Sequence, residues 1–198
     1  MNPHKLTDPA PLWREGWYQF SGRHTSPNFG PRPLDALVNL IVLHSISLPP
    51  GQYGGNEVQQ LFTNQLDWEK HPYFKSIEGL EVSSHFYIRR NGELQQFVSC
   101  SDRAWHAGVS CYRGRSNCND HSIGIELEGI EGGPFEISQY ETLSSLCAAL
   151  LQHYPIAHIA GHEHIAPGRK SDPGSGFDWY LLQQSLGLTP AHFPDGLL

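Results

Sequence analysis

The chain has 198 residues, 17% of them charged and 38% apolar, with a formal net charge of -7. That length and balance suit one globular domain with a sizeable core and exclude a disordered chain. The negative balance argues against a nucleic-acid partner, whose phosphates are met by Lys and Arg.

Twelve histidines are a surplus that raises the prospect of a metal site, because neutral imidazole is a common ligand. Cys100, Cys111, Cys118 and Cys147 show no CxxC spacing and are too few for a disulfide scaffold, so free thiols in a reducing compartment are expected. The opening MNPHKLTDPAPLW is polar and proline-broken, without the apolar region of a signal peptide. The longest apolar patch, Ala36 to Leu48, is interrupted by Asn39 and His44 and is too short to cross a bilayer. These readings predict a cytoplasmic protein with no membrane partner.

In chain order, residues 1–34 read as an irregular lead-in packed on the domain by Trp13, Trp17, Tyr18 and Phe20. The run ALVNLIVLHS then has the length and apolarity of a strand buried on both faces, ending at His44. Open α/β sheets bind their ligands at that carboxyl edge. Asn56 is placed to cap a short helix carrying Val58, Leu61, Phe62 and Leu66, and His71 to Leu80 reads as a loop. VSSHFYIRR and ELQQFV form two strands joined at Asn91-Gly92, both tolerant of positive φ. A polar loop through Asn119 leads to the short strand IGIEL, with Glu126 between apolar neighbours.

Ser138 to Tyr154 reads as a helix with a Ser138/Glu141 capping box, ended by Pro155. HIAG is a brief strand entering GHEHIAPGRKSDPG, a segment of turn formers and titratable groups expected to stay out of the core. A last helix runs from Asp178 to Leu186 and stops at Gly187. Residues 188–198 read as a loose tail, leaving 35–187 as the domain. Strands and helices alternate, but one strand pair is a hairpin. The expected fold class is therefore α/β, a single domain with a central mixed β-sheet flanked by helices.

A catalytic zinc site takes about three N, O or S ligands and keeps one position open. His44, His71, His85, His106, His121, His153, His158, His162 and His164 are all candidates, and no HExxH motif narrows them. His162 with Asp172 across the proline loop, and His44 at the strand end, is one triple among several. Glu126 alternates with isoleucine and leucine, so it faces either a cleft or solvent; partial burial would suit it to proton transfer. Lys170 lies two residues before Asp172 and in an extended segment shares its side, either free in solvent or beside a developing oxyanion.

The runs LHSISLPPGQYGG, SSHFYIRRNGELQQFV, RAWHAGVS, CNDHSIGIELEG and GHEHIAPGRKSDPG together resemble the AmpD-type anhydro-muramyl-L-alanine amidases. These are zinc amidases related to phage T7 lysozyme and the peptidoglycan recognition proteins, and the likeness extends from about Trp17 to Leu186. It implies zinc on His44, His162 and Asp172, Glu126 as general base and Lys170 as oxyanion partner. It implies a small muropeptide as substrate, cleaved between the lactyl group and L-alanine during peptidoglycan recycling in the cytoplasm. Trp105 and His106 would line the sugar end of the cleft.

The departures are Ser45 where relatives often carry Asn, Glu81 and Asn117 in place of basic residues, and His121 in place of an aromatic hydrocarbon. They fall near the substrate, where Ser45 would take part in binding and Arg113 and Arg115 could replace the missing carboxylate partners. A non-catalytic muropeptide sensor and a hydrolase of an unrelated amide stand as alternatives. Oligomeric state is open, with a monomer as the working expectation.

Overall fold

The computed structural model describes residues 12–197. Its principal elements are β1 (Gly22–Arg23), β2 (Leu40–Ile46), α1 (Glu57–Phe62), α2 (Pro72–Ser76), β3 (Phe86–Ile88) and β4 (Leu94–Gln96). There follow β5 (Ser122–Glu128), α3 (Ile137–His153), β6 (His158–Gly161), α4 (His162–Ile165) and α5 (Trp179–Leu186). Six strands form one mixed sheet in the order β6-β2-β5-β3-β4-β1. β6, β2, β5 and β3 run parallel, and β4 returns antiparallel to β3 through the hairpin.

Side-chain alternation assigns the two faces. Ile41, Leu43, Ile123, Ile125, Leu127, Phe86, Ile88 and Ile159 meet Leu143, Leu146, Cys147 and Leu150 of α3 in one core. Leu40, Val42 and Ala160, on the other face, pack with Ala107, Cys118, Ile165 and Ala166. Tyr87 on that same face joins Leu48, Val58, Leu61, Phe62 and Phe74, which close one side of the cleft. The central strands are thus covered on both sides, as their unbroken apolar runs require.

Several expectations need correction. The hairpin forms, but as a longer turn in which Gly92 alone has positive φ, 84°, and Asn91 Oδ1 accepts from Glu93 N. Asn56 precedes α1 without a side-chain cap bond. His71 to Leu80 is not all loop: Pro72 starts α2, with His71 Nδ1 accepting from Tyr73 N at 3.1 Å. The capping pair of α3 is shifted, since Gln139 Oε1 accepts from Glu136 N while the Ser138 hydroxyl donates to Arg90 O. The segment after β6 opens as one helical turn, α4, and His162, Ile165, Asp172 and Gly174 are buried. α5 does begin at a capping Asp178 and end at Gly187 with φ 62°.

Residues 12–34 are not irregular throughout. Trp13–Arg14 pairs with Trp17–Tyr18, β1 forms the sheet edge, and Phe29–Pro31 pairs with Asp102–Ala104. Trp13 stacks on His153 with 5.4 Å between centroids, whereas Phe20 is 67% exposed and contributes little. The Arg32 guanidinium donates to the carbonyls of Cys100, Asn119, Asp120 and Ser122, tying this segment beneath β5.

The end of the chain also packs: Phe193 is fully buried, edge-on to Trp179. Phe193→Ala should therefore cost about 3–5 kcal/mol of unfolding free energy in urea titration. A change under about 1 kcal/mol, within the range of ordinary surface substitutions, would mean a loose tail after all.

Candidate metal centre and cleft

Two local features bring three distant residues together. In the parallel ladder β2 offers His44 directly opposite Glu126 of β5, so both side chains leave the same face at one level. β6 pairs Gly161 with Leu43, and the next residue, His162, begins α4 beside His44. Asp172 is then drawn in by the backbone: Glu163 N donates to Asp172 O at 2.9 Å. Gly161 permits this approach, because a Cβ there would lie 2.8 Å from Pro173 Cδ.

The result is a nearly equilateral triangle of ligand atoms. His44 Nδ1 lies 3.0 Å from His162 Nδ1 and 3.0 Å from Asp172 Oδ2, and the latter two are 3.1 Å apart. All three residues are buried. Bonds of about 2.0–2.1 Å to a tetrahedral ion place ligands about 3.3 Å apart, so the spacing and the N, N, O donor set fit a divalent cation such as zinc. Among the described residues this is the one cluster of His, Cys, Asp or Glu with that arrangement.

The electrostatics agree. Burial pushes the His44 imidazolium down to about 4 against the pull of Asp172, leaving a neutral ring. Burial works against ionisation of Asp172, but hydrogen bonds from His162 and His44 outweigh it and hold the carboxyl well below its usual range. Neutral nitrogens and an anionic oxygen are the forms that ligate. The outer nitrogen of His162, Nε2, is 3.1 Å from Ala107 O, which also accepts from Arg169 at 2.7 Å. His44 Nε2 faces His106 Nδ1 at 2.9 Å. Such outer partners orient metal-binding rings.

Glu126 is buried within the same cleft, and its Oε2 has no hydrogen-bond partner in the protein. Burial raises its pKa well above the ordinary carboxylate value, with the Asp172 charge adding to this and Lys170 opposing it. The cleft, about 310 Å³, is lined by His44, Ser45, Trp105, His106, Glu126, His162, Lys170 and Asp172. Apolar walls come from Ile46, Leu48, Pro50, Leu61, Phe62 and Ile77.

The Ser45 hydroxyl is buried without a partner, and His106 has both ring nitrogens engaged within the protein. Arg113 and Arg115 do not line the cleft. They sit on the two-stranded Cys111–Tyr112 and Arg115–Ser116 hairpin, where Arg113 pairs with Asp195. Sequence reasoning missed the wall supplied by α2, Tyr73 and Ile77, which Pro72 as a first helical residue could have signalled. It also missed Arg169 as the clamp on Ala107 and Val109.

The family model for N-acetylmuramoyl-L-alanine amidase matches residues 34–175, which include every residue of the triangle together with Glu126 and Lys170. The chain belongs to that amidase family. It is 49% identical to the 1,6-anhydro-N-acetylmuramyl-L-alanine amidase AmpD of Citrobacter freundii, over 85% of this chain and 91% of that protein. Among solved structures, a selenomethionine derivative of AmpD superposes with a TM-score of 0.86 at 48% identity, covering 90% of this chain and 100% of that one. Escherichia coli AmiD, solved with the substrate anhydro-N-acetylmuramic acid-L-Ala-D-γ-Glu-L-Lys, gives a TM-score of 0.55 at 29% identity, covering 79% of this chain and 61% of that one.

Asp172 supplies the only anionic atom of the triangle. Asp172→Ala protein should be purified without stoichiometric metal, as read by elemental mass spectrometry, and a metal-replete variant would remove Asp172 from the ligand set.

Proposed function

We propose that this chain is a zinc-dependent amidase that hydrolyses the bond between the lactyl group of 1,6-anhydro-N-acetylmuramic acid and the L-alanine of a stem peptide. The observation that carries this reading is the triangle of two imidazole nitrogens and one carboxylate oxygen, 3.0–3.1 Å on a side, sharing a cleft with a buried glutamate whose Oε2 is unpartnered. A non-catalytic sensor would have no need of that combination. The AmpD relatives' names and the substrate bound by AmiD support the muropeptide as the small-molecule partner.

His44, His162 and Asp172 would hold the cation. When bound, zinc supplies Lewis acidity, polarising the scissile carbonyl and making the attacking water more acidic. Glu126 removes the proton from that water. Its burial favours the protonated form that follows, and it then delivers the proton to the departing alanine nitrogen. Without that protonation an amide nitrogen leaves poorly. Lys170 brings an ammonium group to the cleft, where it offsets charge developing on the carbonyl oxygen. Trp105 and the apolar walls exclude water and offer a face for the sugar.

The compartment proposed is the cytoplasm, in peptidoglycan recycling. All four cysteines are free, as a reducing environment favours. Among the described residues no helix is long and apolar enough to cross a membrane.

The test is mass spectrometry of an anhydro-muropeptide incubated with the protein. Free stem peptide should appear, disappear with a chelator and return with added zinc. Glu126→Gln should lower turnover by about 10²–10⁴-fold while zinc content stays at the wild-type level. Absence of stem-peptide release by zinc-loaded wild type would reject the function, and near-normal turnover by the Gln variant would reject the base.

A further inference from the structure

We propose that His106 is a positioning residue for the metal centre, holding His44 in the tautomer that leaves Nδ1 free to bind a cation. The inference rests on the reading of His44 as a ligand. A buried chain of polar atoms runs away from the triangle: His44 Nε2 to His106 Nδ1 at 2.9 Å, then His106 Nε2 to Ser122 Oγ at 3.1 Å. All three side chains are buried.

A neutral imidazole carries one N–H, so the chain has two self-consistent directions. In one, Ser122 donates to His106, His106 donates to His44, and the proton left on His44 sits on Nδ1, facing Asp172. In the other, His44 Nε2–H donates to His106 Nδ1, and His106 Nε2–H donates to Ser122 Oγ. Only the second leaves a lone pair on Nδ1 of His44. Cation binding therefore selects that direction, and a ring at position 106 able to accept at Nδ1 and donate at Nε2 stabilises it. Outer partners of this kind typically change metal affinity by about 10–100-fold when removed.

The surroundings are shaped to the ring. A Cβ at Gly124 would lie 2.5 Å from His106 Cγ, so the glycine in the middle of β5 makes room for it. Asn119 Oδ1 accepts from the backbone N–H groups of His106 and Ala107 at 3.1 and 2.8 Å, fixing the main chain from which the ring projects. With both ring nitrogens used, no polar atom of His106 remains for a ligand in the cleft.

The experiment compares wild type with His106→Leu, which removes the acceptor at similar volume, and His106→Asn, whose Oδ1 falls near the place of Nδ1. Zinc affinity is measured by competition with a chromophoric chelator. The Leu variant should bind zinc about 10–100-fold more weakly, and the Asn variant should recover most of the loss. Long-range ¹H–¹⁵N spectra of zinc-loaded wild type should place the His106 proton on Nε2. If His106→Leu does not fold, Ser122→Ala takes its place and should weaken zinc in the same direction by a smaller factor. A His106 proton on Nδ1 in the zinc-loaded protein or unchanged zinc affinity in the deciding variant each overturns the proposal. Wild-type protein that takes up no zinc rejects the metal-amidase reading itself, a distinct result.

Discussion

The site depends on the register between β2 and β5. His44 lies opposite Glu126 because Ile41, Leu43, Ile123, Ile125 and Leu127 must all reach the face covered by α3. A slip of one residue in either strand would carry its polar side chain into that apolar core and its isoleucines into the cleft. The cost of exposing several large aliphatic side chains, about 1.5–3 kcal/mol each, far exceeds any local preference of the histidine or glutamate. The alignment of ligand with base is therefore a consequence of packing on the opposite side of the sheet. A bond just past the strand ends reinforces it, Gly129 N donating to Ile46 O at 3.0 Å, and within β5 Gly124 N donates to His85 Nδ1 beside β3 at the same distance.

Once register has placed these groups in a buried cleft, desolvation sorts their charges. Two carboxylates share it and are pushed apart. Asp172 accepts from two imidazoles and stays ionised, whereas Glu126 has an unpartnered oxygen beside a fixed negative charge and is driven toward its neutral form. One acid is thus suited to hold a cation and the other to carry a proton, with residue identity contributing little to the division. His44 and His106 are likewise kept neutral by burial, which makes their tautomers, and hence the partners of each nitrogen, the variable that matters.

Elements with a strong period were legible in the sequence: the apolar run of β2, the IGIEL strand, the long amphipathic α3 and the Asp178 and Gly187 ends of α5. The ligand triple was not legible from spacing, because His44 and His162 are 118 residues apart and seven other candidate histidines offered similar donors. Resemblance to a family singled it out, and the fold explains why it closes. The opening of the 161–174 segment as a helical turn was hidden by glycine and proline, which favour turns generally but do not forbid one turn of helix before Pro167. The order within residues 12–34 and 188–197 was not legible, for a common reason. Their strands and turns have two or three residues each, too short for any period, and are held by tertiary contacts such as Trp13 on His153, Arg32 on the Ser122 carbonyl and Phe193 against Trp179.

The positions read from the sequence as departures from the family pattern separate along the same physical line. His121 is buried, its imidazolium pushed down to about 4 by burial and then by the Arg115 charge, so it behaves as a packing residue beneath β5. Glu81 and Asn117 are exposed; Glu81 stands between Leu80 and Val82, which line the cleft, and Asn117 begins a short turn with φ 56°. Neither has any part in holding β2 against β5. Their charge can change without disturbing the triangle, because no buried side chain depends on them. The proposed ligands and base are anchored to the interior, where each is held by its neighbours, whereas Glu81 and Asn117 are exposed, where a substitution alters the potential a ligand meets on entry.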